Sequence, residues 1–225
     1  MRYLILDLET VGVANAVDFI QTDDIEAPSN YKDVEKIKAY IAAERVKRVN
    51  AAALDLDLAR VCVIGLREPE APDLKVTLIH SEEREAEVLG ELAEFITRGY
   101  SDQAVCLVTF NGHRYDLPLL MRRALYLGVS FPSLNLDRYR SPHIDLYEVL
   151  SMRGAVKAHG LRWYMRRLGM TDLLESDPLE HGGGDVAGAV ADGRWDDIAA
   201  HCRADVLGTF RLAQWMGLIP QDAVL

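Results

Sequence analysis

The first strand of this chain combines a buried apolar pattern with two acidic residues. Residues 2–9 form an apolar run that predicts a buried β-strand, and the run contains Asp7 and Glu9 two positions apart. Successive side chains of a strand point to opposite faces, so both carboxylates project to one side while the leucines project to the other. Because burial of unpaired like charges costs several kcal/mol each, a fold built on this strand requires a compensating cation.

The strand itself does not supply that charge, since it contains no basic residue after Arg2. The ordinary alternative is that Asp7 and Glu9 lie at the exposed carboxyl end of the strand, where Thr10 begins a loop. Short acidic patterns of this kind are common without a metal. The first segment alone therefore does not decide between a metal site and a solvated strand end.

The order of the predicted elements indicates an α/β fold. Apolar runs bounded by turn residues predict strands at 2–9, 60–66, 74–80 and 105–110. Periodicity and start signals predict helices from Ser81, from about Asp116, and at 146–153, 159–168 and 195–216. Three consecutive strands, then a helix, a strand and more helices, are typical of a ribonuclease H-like three-layer fold with a mixed five-stranded sheet and flanking helices.

The length of the chain predicts one domain. A chain of 225 residues with 49% apolar side chains is long enough to bury one sizeable core. Residues 33–53 are charged and alanine-rich, which predicts a helix with Asp33 at its N-terminal end. We therefore expect residues 20–55 to be a helical elaboration of that domain.

The charge balance excludes one class of protein. With 25 basic and 35 acidic residues the formal net charge is −10, which argues against a protein that coats nucleic acid nonspecifically. An enzyme that binds divalent cations with carboxylates remains consistent with this balance, because it needs only a small basic track for a few phosphates.

Cysteine content and hydropathy indicate a cytoplasmic protein without membrane contacts. Cys62, Cys106 and Cys202 are odd in number and lie in apolar surroundings, which predicts buried reduced thiols rather than disulfides or a zinc site. The opening run lacks the basic lead and cleavage site of a secretory signal, and no stretch reaches membrane-spanning length.

Two later segments carry further acidic residues in defined local settings. From Phe110 to Asp116 a strand ends, Asn111 and Gly112 form a turn, and Asp116 lies at a helix start. In the last helix His201 and Asp205 are four residues apart and share a face. Each segment has an ordinary alternative: Asp116 could merely cap its helix, and the last pair could be an ion pair on a helix surface.

Together and in this order, the three segments resemble the DEDD 3′–5′ exonucleases. Leu6 to Thr10 is similar to their first motif, Asn111 to Asp116 to the second, and His201 to Asp205 to the third. The closest resemblance is to stand-alone enzymes similar to the proofreading exonuclease of family B DNA polymerases. Further similar segments lie at 27–33, 143–146 and 184–198. The resemblance covers nearly the whole chain and implies that residues 1–225 form a single exonuclease domain.

The resemblance implies a metal-dependent enzyme that releases nucleoside monophosphates from 3′ ends. Two Mg²⁺ or Mn²⁺ ions would be held by Asp7, Glu9, Asp116 and Asp205, with Asp7 bridging them. Carboxylate oxygens are the ligands that these hard cations prefer, so the donor set is consistent with the implied cofactor.

One position departs from the family pattern. Relatives carry tyrosine four residues before the last aspartate, and another branch carries histidine five residues before it, whereas this chain has His201 and Ala200 there. An imidazole is a competent partner for water near neutral pH. We therefore expect His201 to be a catalytic residue that orients the attacking water; the alternative is that it is a bystander.

A basic stretch indicates where the substrate binds. Residues 149–171 contain no Asp or Glu, and Arg162 and Arg166 share a helix face there. We expect both arginines to contact phosphates, although charged helix faces often remain solvated. The other predicted substrate-binding residues are Thr10, Asn111 and Tyr115. Trp163 and Tyr164 could also stack on bases, or belong to the core.

The predicted substrate is a nucleic-acid 3′ end. The preference for single-stranded DNA over RNA follows from the resemblance alone, and a polymerase or helicase acting in trans is the protein partner it implies. Two alternatives stay open. One is an RNA-trimming exoribonuclease with the same chemistry, and the other is a nucleic-acid-binding module with weakened catalysis, which the presence of His201 would explain.

Overall fold

A mixed five-stranded sheet forms the centre of the protein. The structure, a computed structural model, describes residues 1–70, 73–102, 104–137, 139–179 and 182–221. The strands are β1 (Arg2–Gly12), β2 (Ala59–Arg67), β3 (Leu74–Leu78), β4 (Val105–Thr109) and β5 (Ile144–Asp145). Their order is β3-β2-β1-β4-β5, with β1 antiparallel to β2 and parallel to β4. The predicted mixed sheet is confirmed.

Helices cover both faces of the sheet. The helices are α1 (Val34–Asn50), α2 (Glu82–Asp102), α3 (Asp116–Tyr126), α4 (Leu146–Leu150), α5 (Leu161–Arg167), α6 (Thr171–Ser176), α7 (Val186–Ala191) and α8 (Trp195–Trp215). One apolar core lies between the sheet and helices α2 and α3, and a second lies between the sheet and helices α5 to α8. The expected three-layer α/β arrangement is therefore present.

The alternation of β1 decides which face receives the acidic residues. Leu4, Leu6 and Leu8 enter the core beneath α2 and α3, whereas Ile5 enters the core beneath α8. Asp7 shares the parity of Ile5 and therefore lies on the α8 side of the sheet. The strand pattern thus directs the first carboxylate towards the last helix of the chain.

The first strand is longer than the sequence pattern indicates. It continues to Gly12, so Asp7 and Glu9 lie inside the strand, and the exposed fraction of Glu9 is 5%. The pairing with β2 shifts by one residue between Glu9 and Thr10, which bends the strand locally. The alternative in which the two acids occupy a solvated strand end is therefore wrong.

The helical elaboration consists of α1 and a short 3₁₀ segment, Ala51–Leu54. The predicted N-cap is confirmed, because the Asp33 carboxylate accepts hydrogen bonds from the backbone N–H groups of Glu35 and Lys36. No residue of α1 is buried, but Ala52 in the 3₁₀ segment is. The elaboration is thus attached to the domain mainly through its last turn.

Several element bounds differ from the sequence prediction. The helix predicted at 146–153 ends at Leu150, because Met152 and Arg153 adopt left-handed backbone conformations with φ of 48° and 57°. The last helix ends at Trp215 and β3 ends at Leu78. Helices α6 and α7 and the two-residue strand β5 were not predicted, because elements this short have no resolvable periodicity.

The three cysteines are buried and free, as predicted. Among the described residues, no helix has both the length and the apolar character that crossing a membrane requires.

Candidate active site

Three distant segments bring their acidic residues to one place. The potential ligand atoms of Asp7, Glu9 and Cys202 lie within 4.8 Å of one another, as do those of Asp177, His201 and Asp205. The two groups meet at His201, whose Nε2 lies 3.6 Å from Glu9 Oε1 and 3.9 Å from Asp205 Oδ2. Asp116 lies close enough for its charge to act on Asp7 and Glu9. All five residues predicted to be catalytic therefore belong to one cluster.

A glycine in β2 allows α8 to approach the acidic strand. Gly65 pairs with Asp7, and a Cβ at this position would lie 2.6 Å from Val206 Cγ2 and 2.7 Å from Cys202 Sγ. Any larger residue would therefore push the helix away from the sheet. This close contact brings the last helix, with His201 and Asp205, next to β1.

The second segment is shaped by a tight turn after β4. Asn111 has a φ of 65°, and a Cβ on Gly112 would lie 2.5 Å from Thr109 Oγ1 and 2.8 Å from Asp116 Oδ2. The Asp145 carboxylate accepts hydrogen bonds from the backbone N–H groups of Asn111 at 2.8 Å and of His113 at 3.0 Å. The turn is thus anchored to β5, which fixes the position of Asp116.

Asp116 is the first residue of α3 rather than its cap. The residue before the helix is Tyr115, which makes no capping hydrogen bond through its side chain. The Asp116 carboxyl is buried, and its exposed fraction is 6%. The alternative in which Asp116 only caps the helix is therefore wrong.

Burial and mutual repulsion raise the pKa values of the clustered carboxyls. Burial followed by the charges of Glu9, Asp205 and Asp116 raises the pKa of Asp7 well above its ordinary value. Burial raises the pKa of Glu9 to about 8, partly opposed by His201, and the pKa of Asp205 to about 6. Burial and the charge of Asp145 raise the pKa of Asp116 to about 7. Ionising all of these carboxyls would place more negative charge in the cluster than its surroundings neutralise.

The donor set fits a hard divalent cation. Asp205 Oδ1 is buried and has no hydrogen-bond partner among the described residues. An unpartnered buried carboxylate oxygen is costly unless a cation or water satisfies it. Asp7, Glu9 and Asp205, with Asp116 close enough for its charge to act on the first two, offer the oxygen ligands that Mg²⁺ and Mn²⁺ prefer.

His201 is buried among three acidic side chains, and one of them accepts a hydrogen bond from its ring. Its side chain is 2% exposed, and Nδ1 donates a hydrogen bond to Asp177 Oδ2 at 3.0 Å. Burial lowers the pKa of the imidazole, but the hydrogen bond with Asp177 and the charges of Glu9 and Asp205 together raise it to about 9. The alternative of an ion pair on the surface of α8 is therefore wrong.

Asp177 was not predicted from the sequence. Its buried carboxylate accepts hydrogen bonds from His201, from the backbone N–H of Leu179 at 3.0 Å and from the guanidinium of Arg162. Asp177 precedes a proline, which indicates only a turn, and it lies in a segment without periodicity. Its role could be found only from the contact with His201 across 24 residues of sequence.

Four of the five predicted substrate-binding residues fall into two groups, and the fifth, Asn111, lines a cavity together with Arg162. Thr10 Oγ1 donates a hydrogen bond to the Ala53 carbonyl at 2.7 Å, and the Tyr115 hydroxyl donates to the same carbonyl. Arg162 is half-buried and paired with Asp177, whereas Arg166 is exposed one turn later on α5. The first group therefore faces the helical elaboration, and the second lies on α5.

Two cavities flank the acidic cluster. The His201 cleft has a volume of about 540 Å³ and is lined by Asn111, Arg114, Arg162, Trp163, His201 and Asp205. The Glu9 pocket has a volume of about 470 Å³ and is lined by Leu8, Glu9, Thr10, Leu54, Tyr115 and Arg194. Gly183 lines both cavities, so they are neighbours.

Comparison with protein families shows which family this chain belongs to. Residues 52–218 match a family described as predicted 3′–5′ exonucleases related to the exonuclease domain of PolB. The chain belongs to this family. The segments of Asp116 and Asp205 lie inside the matched residues, and the strand with Asp7 precedes them. The resemblance drawn from the three acidic segments is confirmed.

A DNA polymerase shares the fold of this exonuclease. It is the family B DNA polymerase from the hyperthermophilic archaeon Pyrobaculum calidifontis, with a TM-score of 0.62 and 16% sequence identity. The alignment covers 96% of the exonuclease and 24% of the polymerase chain, so the exonuclease spans about a quarter of the polymerase's length. At this identity the likeness shows the fold alone. No curated protein sequence matches significantly.

The exonuclease also places a thiol beside its carboxylates. Cys202 Sγ lies within 4.8 Å of the ligand oxygens of Asp7 and Glu9. Burial and then the charges of Asp7, Glu9 and Asp205 raise the pKa of this thiol well above its ordinary value. Cys202 therefore stays protonated and fills the wall of the site as a small apolar group.

Proposed function

We propose that this exonuclease removes nucleotides one at a time from the 3′ end of single-stranded DNA, with two Mg²⁺ or Mn²⁺ ions held by Asp7, Glu9, Asp116 and Asp205. The observation that carries the proposal is that four carboxyls from three distant segments, Asp7, Glu9, Asp116 and Asp205, have pKa values raised by burial and by neighbouring acids, in a member of an exonuclease family. When bound, such ions would lower the pKa of the attacking water and neutralise the charge that develops on the scissile phosphate.

The positions of the side chains support separate roles for them. Asp7 experiences the charges of Glu9, Asp205 and Asp116, which supports a central position for it between the metal sites. His201 Nε2 faces Glu9 and Asp205 while Asp177 holds the opposite ring nitrogen. We assign His201 the role of orienting the attacking water, with Asp177 as the positioning residue that fixes the ring.

The His201 cleft supports a single strand as the substrate. It combines the guanidinium of Arg114 with the exposed Trp163, whose ring stacks on His159 at 4.2 Å between centroids, and it also contains Arg162, which is paired with Asp177. Cationic grooves with aromatic platforms are the usual means of binding single strands, because phosphates and base faces are bound together. Asn111 lines the same cleft, and we propose that the exposed Arg166, one turn after Arg162 on α5, also contacts the strand.

Digestion of end-labelled oligonucleotides tests the proposal. The same single strand is labelled at its 5′ or its 3′ end and incubated with the protein in Mn²⁺, with Asp7→Ala as the inactive control. We expect immediate release of labelled mononucleotide from the 3′-labelled strand, a ladder of shortening products from the 5′-labelled strand, and neither with the variant. Internal cleavage, release from the 5′ end or an inert wild-type protein would contradict the proposal.

A matched RNA oligonucleotide separates the main proposal from exoribonuclease activity. We propose DNA because the family is related to the exonuclease domain of PolB. Discrimination depends on contacts with the 2′-hydroxyl, so a preference for RNA would be seen directly as faster hydrolysis of the RNA strand. Tight binding without hydrolysis of either strand would instead favour the weakened binding module, for which His201 is the motivating residue.

We further propose that residues 1–225 act as one exonuclease domain in the cytoplasm, beside a polymerase or helicase. Polymerases generate 3′ ends and helicases generate single strands, so both supply the proposed substrate. Stimulation of 3′-mismatch correction when the exonuclease is added to a polymerase reaction is the expected result.

A further inference from the structure

Basic side chains are concentrated in two stretches of this acidic protein. Residues 32–50 contain six basic and three acidic side chains, and residues 149–171 contain five basic and no acidic ones. The rest of the chain contains 14 basic and 32 acidic residues. Most of the molecule therefore repels a phosphate polymer, whereas these two stretches attract it. The second stretch lines the His201 cleft through Arg162, but the first has no role in the proposed function.

The first stretch forms helix α1, which contributes no side chain to either apolar core. None of its 17 residues is buried. Helix α1 also lies outside residues 52–218, the part of the chain that matches the exonuclease family. Packing of the domain core therefore does not account for this charged helix.

The position of α1 is nevertheless fixed beside the active site. At its last residue, Asn50 lines the Glu9 pocket. In the turn before, Arg48 donates hydrogen bonds to the Gln21 carbonyl at 2.8 Å and to the Asp24 carboxylate at 2.5 Å. These contacts hold a basic helix, about 25 Å long at 1.5 Å per residue, with its last turn at the pocket.

One face of α1 carries lysines in line with this pocket. Lys36 and Lys47 are 11 residues apart, which is three helical turns, and Asn50 follows Lys47 by three residues. The three residues therefore share one side of the helix, which we call the lysine face. It extends about 21 Å from Asn50 to Lys36 at 1.5 Å per residue.

Both lysines of the lysine face are accessible to a ligand. Lys36 is exposed and makes no ion pair within the part of the chain that the structure describes. Lys47 is 76% exposed and pairs with Glu44 at 3.4 Å. An exposed ion pair of this kind contributes at most about 1 kcal/mol, so a phosphate can replace Glu44 at little cost.

We propose that the lysine face of α1 binds the phosphate backbone of nucleic acid that lies outside the two cavities. This inference rests on the proposed function and extends the substrate contacts to a surface remote from the chemistry. A face of about 21 Å spans about six phosphates at 3.4 Å per nucleotide. Ammonium groups attract phosphates without contacting base edges, so the face favours long substrates of any sequence.

Kinetics with substrates of two lengths test this role. Lys36→Gln/Lys47→Gln is compared with Lys38→Gln/Arg45→Gln, which removes the same charge from the other side of the same helix. Each protein digests a trinucleotide and a long primer whose mismatched 3′ end lies on a longer template. We expect Lys36→Gln/Lys47→Gln to raise KM about fivefold on the long substrate and at most about twofold on the trinucleotide, with kcat within about twofold.

The salt dependence of binding gives a readout that a purely structural role would not change. The affinity for the long substrate is measured in Ca²⁺ by fluorescence anisotropy at several salt concentrations. Each lost phosphate contact lowers the slope of log affinity against log salt by about 0.7 to 0.9. We expect a slope lower by about 1.5 in Lys36→Gln/Lys47→Gln, and the wild-type slope in Lys38→Gln/Arg45→Gln.

The outcomes separate the two proposals. A wild-type protein that hydrolyses neither the trinucleotide nor the primer overturns the proposed function. Hydrolysis by wild type with KM and salt slope unchanged in Lys36→Gln/Lys47→Gln overturns the lysine face as a nucleic-acid surface, and leaves the proposed function standing. Equal effects of the two double variants would show a general influence of charge, which also overturns the assignment to this face.

Discussion

Each acidic side chain of the active site destabilises the folded protein when it is ionised without a nearby cation. Bound cations would remove this cost for the whole set. Burial and repulsion raise the pKa values of Glu9, Asp116 and Asp205 to about 8, 7 and 6. At neutral pH and without metal, each of these groups therefore opposes folding to the extent that it ionises. His201 offsets part of that charge as an imidazolium.

The first prediction concerns the pH dependence of stability without metal. A carboxyl whose folded pKa lies above its unfolded value stabilises the protein below the unfolded value, and this contribution is lost as pH rises through the folded pKa. We expect the Tm in EDTA to fall by about 5 °C between pH 5 and pH 8.5, since Asp205, Asp116 and Glu9 lose their protons in turn.

Thermal unfolding in EDTA at several pH values measures this fall, and Glu9→Gln is the control that should reduce it. His201, whose pKa is raised from 6.5 to about 9, adds to the fall, because its contribution is lost as pH rises from about 6.5 through 9. Addition of Mn²⁺ at pH 8 should restore the Tm of the wild type. A Tm that rises with pH in EDTA would refute this interpretation of the cluster.

The second prediction concerns the residue that holds His201. Asp177→Asn keeps the size of the side chain but removes the charge that orients the imidazole. We expect kcat to fall about 10- to 100-fold while KM stays within about twofold, as is typical when a partner that orients an active-site group is lost. Steady-state kinetics provide the test, and an unchanged kcat with intact folding would remove Asp177 from the site.

Secondary-structure elements differ in how much of their role can be predicted from sequence. The alternation in β1 and the four-residue spacing of His201 and Asp205 are local patterns, so the acidic residues on both elements could be found from sequence. Asp177 and the 3₁₀ segment Ala51–Leu54 acquire their positions at the site only through contacts with distant segments. No pattern within residues 170–180 or 50–54 encodes those contacts.

The third prediction concerns the contact between α8 and β2. Gly65→Ala places a Cβ 2.6 Å from Val206 Cγ2, so we expect a loss of about 1–3 kcal/mol in the free energy of unfolding and reduced activity as α8 moves outward. Gly90→Ala in α2 is the matched control, because its Cβ meets nothing within 4 Å and alanine favours a helix.

Urea unfolding and kcat are measured for both glycine variants. Gly90→Ala should be at least as stable as wild type and fully active. If Gly65→Ala were equally stable and active, the close packing of α8 would not be what positions His201 and Asp205.

At the scale of the whole molecule, a buried ion pair connects helices α2 and α3 to each other and to strand β2 of the sheet. Arg123 on α3 donates to both oxygens of Glu85 on α2, at 2.8 and 2.7 Å, and Glu85 also accepts from the Val61 backbone N–H of β2. Their side chains are 4% and 0% exposed. The two helices and the sheet therefore depend on one satisfied charge pair.

The fourth prediction follows from this ion group. Arg123→Ala leaves Glu85 buried without its counter-charge, so we expect a loss of about 3–5 kcal/mol in the free energy of unfolding. The neighbouring Arg122→Ala removes a solvent-exposed ion pair with Asp57 and should cost at most about 1 kcal/mol. Chemical denaturation compares them; equal stabilities would show that the buried pair contributes nothing.

The arrangement of layers could be predicted from the order of the strands. Three strands, at 2–9, 60–66 and 74–80, precede α2, which is the first helix that packs on the sheet. The sequence also located the helical elaboration, since Asp33 and the charged alanine-rich run mark a helix. It did not indicate that the end of this elaboration forms a wall of the active site. That position depends on hydrogen bonds from Thr10 and Tyr115 to one backbone carbonyl, which no side-chain pattern records.

The most direct test is a calorimetric titration of the protein with Mn²⁺ in the presence of a nucleoside monophosphate, whose phosphate supplies the remaining oxygen ligands. We expect two ions per wild-type chain, and loss of this binding in Asp7→Asn, which removes the carboxylate at the centre of the cluster. Wild-type protein that binds no Mn²⁺, or binding that Asp7→Asn leaves unchanged, would contradict a two-ion site formed by Asp7, Glu9, Asp116 and Asp205.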